Sequence, residues 1–154
     1  MQISSRFTIA IHVLIAVDFF RDQYKTTSEL LASSVHTNPV VIRRILQQLK
    51  AAGLIEVTRG SGGARLAKPA GEITLLDVWR AVDCVESGDL FHFHEAPNPQ
   101  CPVGRNIHAV LDDKLVAMQQ ALQNEMQATT LAEMLARTRD LVAQEQSAED
   151  APEM

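Results

Sequence analysis

Cysteines and aromatic residues are scarce in this chain of 154 residues, which holds two cysteines, one tryptophan, one tyrosine and five phenylalanines. Cys84 and Cys101 are too few for a disulfide framework, so we expect both to be thiols. The longest apolar run, residues 9–20, includes His12 and Asp18 and is shorter than the roughly 18 consecutive apolar residues that a membrane span needs. The amino-terminal residues show no secretion signal. These absences favour a cytoplasmic protein that does not enter a membrane.

Charge is distributed unevenly along the chain, whose net charge is −5 at pH 7. Residues 1–70 hold nine Lys and Arg against four Asp and Glu, a net charge of +5. Residues 71–154 hold five basic and fifteen acidic side chains, a net charge of −10. The first half can therefore face a polyanion, which the second half would repel.

Apolar spacing and capping residues predict three helices in the first fifty residues. The second helix follows Thr26, with Glu29 three residues later as the partner in a capping box. The third has Asn38 as its amino-terminal cap, and Gly53 stands where a left-handed carboxyl-terminal cap belongs. The first two predicted helices cover residues 5–20 and 28–34, and the third begins at Pro39.

A cationic, glycine-rich loop lies between two predicted strands, residues 54–58 and 64–68. The stretch TRGSGGARLAKP, residues 58–69, holds three glycines and three basic side chains. A phosphate cradle of an enzyme would need a helix directly after the loop, and usually Lys followed by Ser or Thr; here a short strand and a proline follow. Three helices and a basic hairpin are the element order of a winged helix-turn-helix, whose third helix fits the major groove of DNA.

The second half of the chain is predicted to hold three more helices. Thr74 caps the first, an irregular linker follows, and a long helix begins at Pro102 with Cys101 at its cap. About 25 residues at 1.5 Å each give this helix a length of roughly 37 Å, so it must pack on something beyond its own domain. We predict a homodimer, with an intramolecular hairpin formed with the last helix as the alternative. The predicted dimerisation residues are Ile107, Leu111, Leu115, Met118 and Leu122.

Resemblance to a known family is carried by the stretches ISSRFTIAIHVL, TTSELLASSVHTNPVVIRRILQQLKAAGLIEVTRGSGGARLAK, ITLLDVWRAVD and CPVGRNI. Together they resemble the Rrf-two family of bacterial transcription regulators, which includes iron–sulphur-cluster, nitric-oxide-sensing and cysteine-metabolism regulators. The resemblance implies a homodimer with crossing long helices and a palindromic operator read by the third helix and the wing. It also implies that Arg59 reaches the minor groove. The glycine and aromatic residue that usually complete the wing motif are replaced by Ala64 and Arg65.

The number of cysteines departs from the cluster-binding members of this family, which place three in the linker before the long helix. Only Cys101 stands there, and Cys84 lies earlier, in the fourth predicted helix. We therefore assign no cofactor and no metal, and an iron–sulphur cluster of the usual ligation is not expected. His12, His92 and His94 could complete only an unusual site, and a polar linker with an accidental histidine pair is the alternative.

Cys101 is also a candidate sensor, together with Cys84. A helix start and Arg105 would both favour the thiolate form of Cys101, which is the reactive form. We hypothesise that oxidation of Cys101, to a sulfenic acid or to a disulfide with Cys84 or the partner subunit, changes DNA affinity. The alternative is a cap residue with no sensing role.

The sequence thus predicts a mainly α protein without enzymatic activity, a winged helix-turn-helix with a long carboxyl-terminal dimerisation helix. The expected function is that of a dimeric repressor of transcription whose partner is double-stranded DNA. A protein-interaction module on the same fold and a thiol redox enzyme using Cys101 stay as alternatives. The predicted organisation is a DNA-binding domain over 1–83, a linker or sensor loop over 84–101, dimerisation helices over 102–145 and a disordered tail over 146–154. The residues predicted to contact DNA are Ser5, Arg6, Thr27, Ser28, Asn38, Val40, Arg43, Arg44, Gln47, Arg59, Ser61, Gly62 and Arg65.

Overall fold

The computed structural model describes residues 5–58, 63–82, 90–91 and 93–149. These ranges contain helices α1 (Arg6–Phe19), α2 (Ser28–Val35), α3 (Pro39–Ala51), α4 (Leu75–Ala81), α5 (Ile107–Ala128) and α6 (Leu131–Glu149), and strands β1 (Ile55–Thr58) and β2 (Gly63–Leu66). The two strands pair antiparallel, with Ile55 opposite Leu66 and Thr58 opposite Gly63. The mainly α fold with a winged helix-turn-helix is confirmed.

The main core is built around α1, which packs on α2, α3, α4, α6 and β2. Val13, Leu14 and Val17 of α1 are fully buried. The apolar face predicted for α3 is confirmed, because Ile42, Ile45, Leu46 and Leu49 are all buried. Burial of each such side chain stabilises the fold by about 1.5–3 kcal/mol relative to exposure.

Capping residues set the ends of these helices largely as predicted. Asn38 caps α3 by accepting a hydrogen bond from the backbone N–H of Val40 at 2.8 Å. Gly53 follows α3 in the left-handed region, with φ of +71°. The cap predicted for α2, Thr26, is wrong by one residue. The cap is Thr27, whose hydroxyl accepts a hydrogen bond from the N–H of Leu30 at 3.3 Å.

The long helix begins later than predicted. A tight turn, including a short 3-10 segment over Gly104–Asn106, separates Cys101 and Pro102 from α5. The side-chain amide of Asn106 donates to the carbonyl of Pro102 at 2.7 Å and holds this turn closed. Cys101 is therefore not the cap of the long helix. The 22 residues of α5 span about 33 Å, and no helix in the described ranges is long and apolar enough to cross a membrane.

Helix α6 packs on α1 and supplies part of the core of the amino-terminal unit. Leu131 and Leu135 are buried in that core. Leu131 also donates its N–H to the carbonyl of Ile73 at 2.8 Å, so α6 contacts the predicted DNA-binding domain, whose boundary at residue 83 stays a prediction. Helix α6 continues through Glu149, so residues 146–149 of the predicted disordered tail are helical, and residues 150–154 lie outside the described part.

A second, smaller core joins α4, α5 and the linker. Leu76, Trp79, Leu90 and Met126 are buried in it. Leu122 packs against this cluster within its own chain while part of its surface stays accessible, so its place in a dimer interface stays a prediction. Part of its apolar surface is covered within the subunit, because α5 packs against α4.

Candidate nucleic-acid interface

One buried threonine ties the base of the hairpin to the start of α2. The hydroxyl of Thr26 donates to the carbonyl of Ala64 and accepts from the N–H of Ala64 at 3.1 Å. Gly63 has φ of +70°, and a Cβ added there would lie 2.9 Å from the backbone nitrogen of Thr26. The close contact and the left-handed conformation both require glycine at this position. This clamp holds the start of β2 against the residue that precedes α2 by two positions.

Helix α3, the hairpin and the start of α2 form the walls of one open cleft of about 450 Å³. Arg43, Gln47 and Lys50 line it from α3, and Thr58 and Gly63 line it from the strand ends that flank the loop. The spacing of four and three places the α3 side chains in one stripe. A cationic helix face and the root of a glycine loop therefore meet at one surface.

Arg43 is held by α2. Its Nη2 donates to Glu29 Oε1 at 2.7 Å, and its Nε donates to the hydroxyl of Ser28 at 3.3 Å. The hydrogen bond from Arg43 is the main cause that holds the pKa of Glu29 below its ordinary value. Both charged side chains are largely exposed, so the pair contributes little stability. Its main effect is to orient Arg43 and to neutralise a carboxylate beside the cleft.

Arg65 is also paired. It lies directly opposite Glu56 in the sheet, and its Nε and Nη2 donate to Glu56 Oε2 at 3.0 and 2.7 Å. The cross-strand carboxylate would compete with any phosphate for this guanidinium. The Nζ of Lys68, another cation of the hairpin, lies 3.8 Å from a carboxylate oxygen of Asp77.

The side chains of Arg44, Gln47 and Lys50 are exposed and make no hydrogen bond or ion pair with the described part of the chain. Val40 stands on the same helix with 64% of its surface exposed. Sequence reasoning missed the cleft position of Lys50, although its helical spacing after Gln47 was a usable signal. The clamp by Thr26 was missed as well, because no local pattern reveals that a threonine will be buried.

The other predicted contact residues lie at helix starts or in the loop. The carbonyl of Ser5 accepts the hydroxyl of Thr8 at 3.0 Å at the start of α1, where Arg6 is half-buried. Asn38 and Thr27 use their side-chain oxygens as caps. The loop residues Arg59, Ser61 and Gly62 lie outside the described residues, so their contacts stay predictions.

Cys101 lies half-buried in the turn before α5. Hydrogen bonds from the backbone N–H groups of Gly104 and Val103 lower the pKa of its thiol. The predicted thiolate character thus arises from the amides of a tight turn instead of a long-helix start. Cys84, the second predicted sensor residue, lies outside the described residues.

One linker histidine, His94, and one histidine of α5, His108, stack on the same aromatic ring. Phe93 stacks on His94 and on His108, with ring centroids 4.8 and 3.9 Å apart. The Nδ1 of His108 also lies 3.2 Å from Asp112 Oδ1. His12, the distant histidine of the unusual site, is bonded to the hydroxyl of Ser34 at 3.0 Å. His92 is outside the described residues.

These features define a winged helix-turn-helix protein, with a cation-bearing third helix beside the root of a glycine loop. The model of the family described as "Rrf2: Iron-dependent Transcriptional regulator" matches residues 3–137, and the chain belongs to this family. Rrf2 is the Rrf-two family that the sequence motifs resemble.

One sequence relative and two solved structures are similar to this chain over most of its length. YwnA of Bacillus subtilis, whose name places it among the helix-turn-helix transcriptional regulators, is 42% identical over 134 residues, which cover 87% of this chain and 97% of YwnA. A crystal structure of a protein described as DNA-binding is 37% identical with a TM-score of 0.65, covering 85% of this chain and 99% of the other. CymR, the global cysteine regulator of B. subtilis, shares the fold at 18% identity with a TM-score of 0.68, covering 88% and 97% of the two chains. The chain is therefore a transcriptional regulator and not an enzyme.

Iron, which the family's description names, does not fit the described residues. Within the described ranges, no group of three or more His, Cys, Asp or Glu side chains could hold a metal ion. Cys101 is the one cysteine among those residues, and its thiol is bonded to backbone amides.

Proposed function

We propose that this regulator is a homodimeric repressor that reads a palindromic operator, with α3 in the major groove and the hairpin loop along the adjacent backbone. The observation that carries the proposal is the cleft between the two elements. Arg43, Gln47 and Lys50 face the same space as Thr58 and Gly63, from which the loop departs. Duplex DNA that enters this space meets the helix and the loop at the same time. Because the proposed partner is chromosomal DNA, we expect the regulator to act in the cytoplasm.

The dimensions and side chains of α3 suit a major groove. A helix with its side chains is about 10–12 Å wide, and the major groove is about 12 Å wide. In this position Val40, Arg44 and Gln47 are the side chains of α3 best placed to meet base edges, because they are exposed and unpaired within the described chain. Arg43 contributes by neutralising Glu29.

The exposed side of α5 supports the proposed homodimer. Val110, Leu111 and Met118 are exposed large hydrophobic side chains, and the spacing of Leu111 and Met118 places them two turns apart on one side. Exposed apolar side chains grouped on one face mark interaction surfaces. We assign this face to a second copy of the chain, while part of the surface of Leu115 and of Leu122 is covered within the same subunit.

Cys101 carries the proposed redox response. Its thiolate would attack a peroxide, break the O–O bond, release hydroxide or an alkoxide, and become a sulfenic acid. The added oxygen would stand at Sγ, beside the amides of Gly104 and Val103, so the hydrogen bonds of the turn before α5 would change. We propose that this change alters operator affinity.

Selection of bound sequences from random duplex DNA tests the function directly. We expect enrichment of an inverted repeat with a fixed distance between its halves. The affinity for the selected site should fall with salt at a slope of about −0.9 per phosphate contact. A protein-interaction module would enrich no sequence and show no such slope, and either result would contradict the proposal.

A further inference from the structure

Another open cleft, of about 370 Å³, lies between α5 and the linker that precedes it. The linker forms one wall with Phe91 and Phe93, and α5 forms the other, whose apolar part is Leu115 and Val116. The volume lies in the range of small-molecule sites, which is about 300–1,000 Å³. The cleft shares no lining residue with the candidate DNA surface, so it is a separate candidate site.

The linker is attached to α5 at two places beside this cleft. The ring of Phe93 stacks on that of His108, with centroids 3.9 Å apart. The N–H of Leu90 donates to Oε1 of Gln119 at 3.1 Å. His108 and Gln119 are separated by about 16 Å along the helix axis. Two attachments this far apart hold Phe91 and Phe93 beside α5, so the cleft is formed without a ligand.

The charges that line the cleft favour a cation over an anion. Asp112 is the one charged residue among the described residues that line it, and the other polar ones are the amides Gln119, Gln120 and Gln123. The oxygens of Asp112 lie 3.2 and 3.3 Å from Nδ1 of His108. This bond needs only the N–H of a neutral imidazole, and the carboxylate then keeps its negative charge. An anion would be repelled by Asp112, and no described lining residue offers a positive charge to offset that repulsion.

The linker wall favours a flat ring. Phe91 and Phe93 are both half-buried, so part of each ring is covered and part is open to the cleft. Aromatic rings that meet in offset-stacked or edge-to-face arrangements gain more than the burial of their area alone. Val116, with 68% of its surface exposed, supplies an apolar surface on the opposite wall. An aromatic ligand is therefore favoured over an aliphatic one of the same size.

We propose that this cleft binds a small aromatic cation, whose positive group pairs with Asp112 and whose ring lies against Phe91 and Phe93. The proposal goes beyond DNA binding, because it gives the regulator a ligand site that its DNA surface does not contain. It requires neither the proposed operator nor the proposed dimer, and it is therefore tested on the free full-length protein.

The experiment titrates isotope-labelled protein with four probes and follows its amide signals by NMR. Benzamidine, benzamide and benzoate have nearly the same shape but are positive, neutral and negative, and acetamidine carries the positive group without the ring. We expect benzamidine to bind with a Kd on the order of 1 mM and to shift the signals of Val116, Gln119 and Gln123. Benzamide and acetamidine should each bind about threefold to fivefold more weakly, and benzoate more weakly still.

Two neighbouring carboxylates provide a matched pair of variants. Asp112→Asn and Asp113→Asn each remove one negative charge from an exposed position of α5, but only Asp112 lines the cleft. We expect Asp112→Asn to lower the affinity for benzamidine to that for benzamide and to leave benzamide binding unchanged. Asp113→Asn should behave as the wild type with all four probes. Asp112→Lys should reverse the order, so that benzoate binds more tightly than benzamidine.

No shifted signals with benzamidine at about 10 mM would overturn the proposal, as would shifts confined to residues away from the cleft. Equal affinities for benzamidine and benzoate, or equal effects of the two asparagine variants, would also overturn it. Acetamidine that binds as tightly as benzamidine would exclude the aromatic part. Circular dichroism checks that the variants fold, and if Asp112→Asn does not, Asp112→Lys must still reverse the order of the probes. Failure of the proposed function would appear in the DNA selection and would leave these titrations unchanged.

Discussion

The guanidinium of Arg43 on α3 lies 2.7 Å from the carboxylate of Glu29 on α2, so the proposed recognition helix presents an arginine that is already paired. A carboxylate beside a DNA phosphate would be repelled, and Arg43 offsets that repulsion. In the proposed complex the ion pair therefore removes the repulsion between α2 and the DNA phosphates, although it adds no unpaired cation to the interface. This relationship changes what a substitution at either position should do.

We expect Arg43→Ala to weaken binding to all sequences, because it leaves Glu29 uncompensated at the interface. Glu29→Gln should act in the opposite direction by freeing Arg43, and it should increase non-specific binding and steepen the salt slope by up to about 0.9. The double variant should bind better than Arg43→Ala alone. Titrations of fluorescent duplexes at several salt concentrations measure these effects. A Glu29→Gln variant with unchanged salt slope would show that Arg43 does not reach a phosphate when freed.

Val40 offers an apolar contact on α3, where 64% of its surface is exposed. In the major groove the matching feature is the methyl group of thymine. We expect at least one operator position at which replacing thymine by uracil weakens wild-type binding, while the loss disappears in Val40→Ala. Gln47→Ala serves as the control, because it should keep the thymine preference and change discrimination elsewhere by about 1–3 kcal/mol. Identical uracil effects in Val40→Ala and wild type would remove Val40 from base reading.

Gly63 and Gly53 form a matched pair of left-handed glycines, with φ of +70° and +71°. Alanine at either position costs about 1–2 kcal/mol for the backbone conformation. Only Gly63→Ala also places a Cβ against Thr26, so we expect an additional loss of about 1–3 kcal/mol from overpacking. Urea denaturation of both variants measures the difference. Gly63→Ala should also weaken DNA binding more than Gly53→Ala, because it displaces the root of the loop.

Local signals predicted most of the fold, because caps and apolar spacing act within a few residues. Asn38, Gly53 and the cap residue Thr74 take the predicted positions for this reason. Relationships across the chain were not predictable from such signals. The clamp between Thr26 and Ala64 joins residues 38 apart, and nothing local reveals it.

In the candidate site, too, the features that local spacing determines were predictable and those that depend on distant residues were not. The exposed positions of Arg44 and Gln47 follow from helical periodicity, whereas the pairing of Arg65 with Glu56 depends on strand register. The sequence predicts too early a start for α5, because Pro102 is compatible with a turn as well as with a helix start. The side-chain amide of Asn106 donates to the carbonyl of Pro102 and closes that turn.

The exposed side of α5 predicts where a charge should break the dimer. Met118→Asp places a carboxylate on the proposed interface, where 56% of the methionine is exposed in the single subunit. We expect a monomer with an intact fold and at least tenfold weaker operator binding, about 1.4 kcal/mol or more. Val116→Asp is the control, because Val116 is comparably exposed but lies on a different side of α5. Sedimentation measures both variants, and a dimeric Met118→Asp would place the interface elsewhere.

The turn around Cys101 predicts a thiol that ionises more readily than usual. Backbone N–H groups of Gly104 and Val103 stabilise the thiolate and lower its pKa, so at a given pH below the ordinary value of 9.0 the folded protein holds more thiolate than the unfolded chain. Because alkylation follows the thiolate, the midpoint of the rate against pH should lie below 9.0 in the folded Cys84→Ser variant. The midpoint should return to the ordinary value in concentrated urea. Mass spectrometry of iodoacetamide labelling measures both profiles.

The same cysteine should connect oxidation to DNA binding. We expect hydrogen peroxide to change the operator affinity of the wild type and of Cys84→Ser, because Cys101 remains in both. Cys101→Ser should not respond, since its hydroxyl neither ionises at these pH values nor forms a sulfenic acid. A dimedone label on Cys101, found by mass spectrometry after peroxide treatment, would identify the sulfenic acid. An equal response in wild type and Cys101→Ser, or none in either, would contradict sensing through Cys101 and leave the thiol as a structural member of the turn.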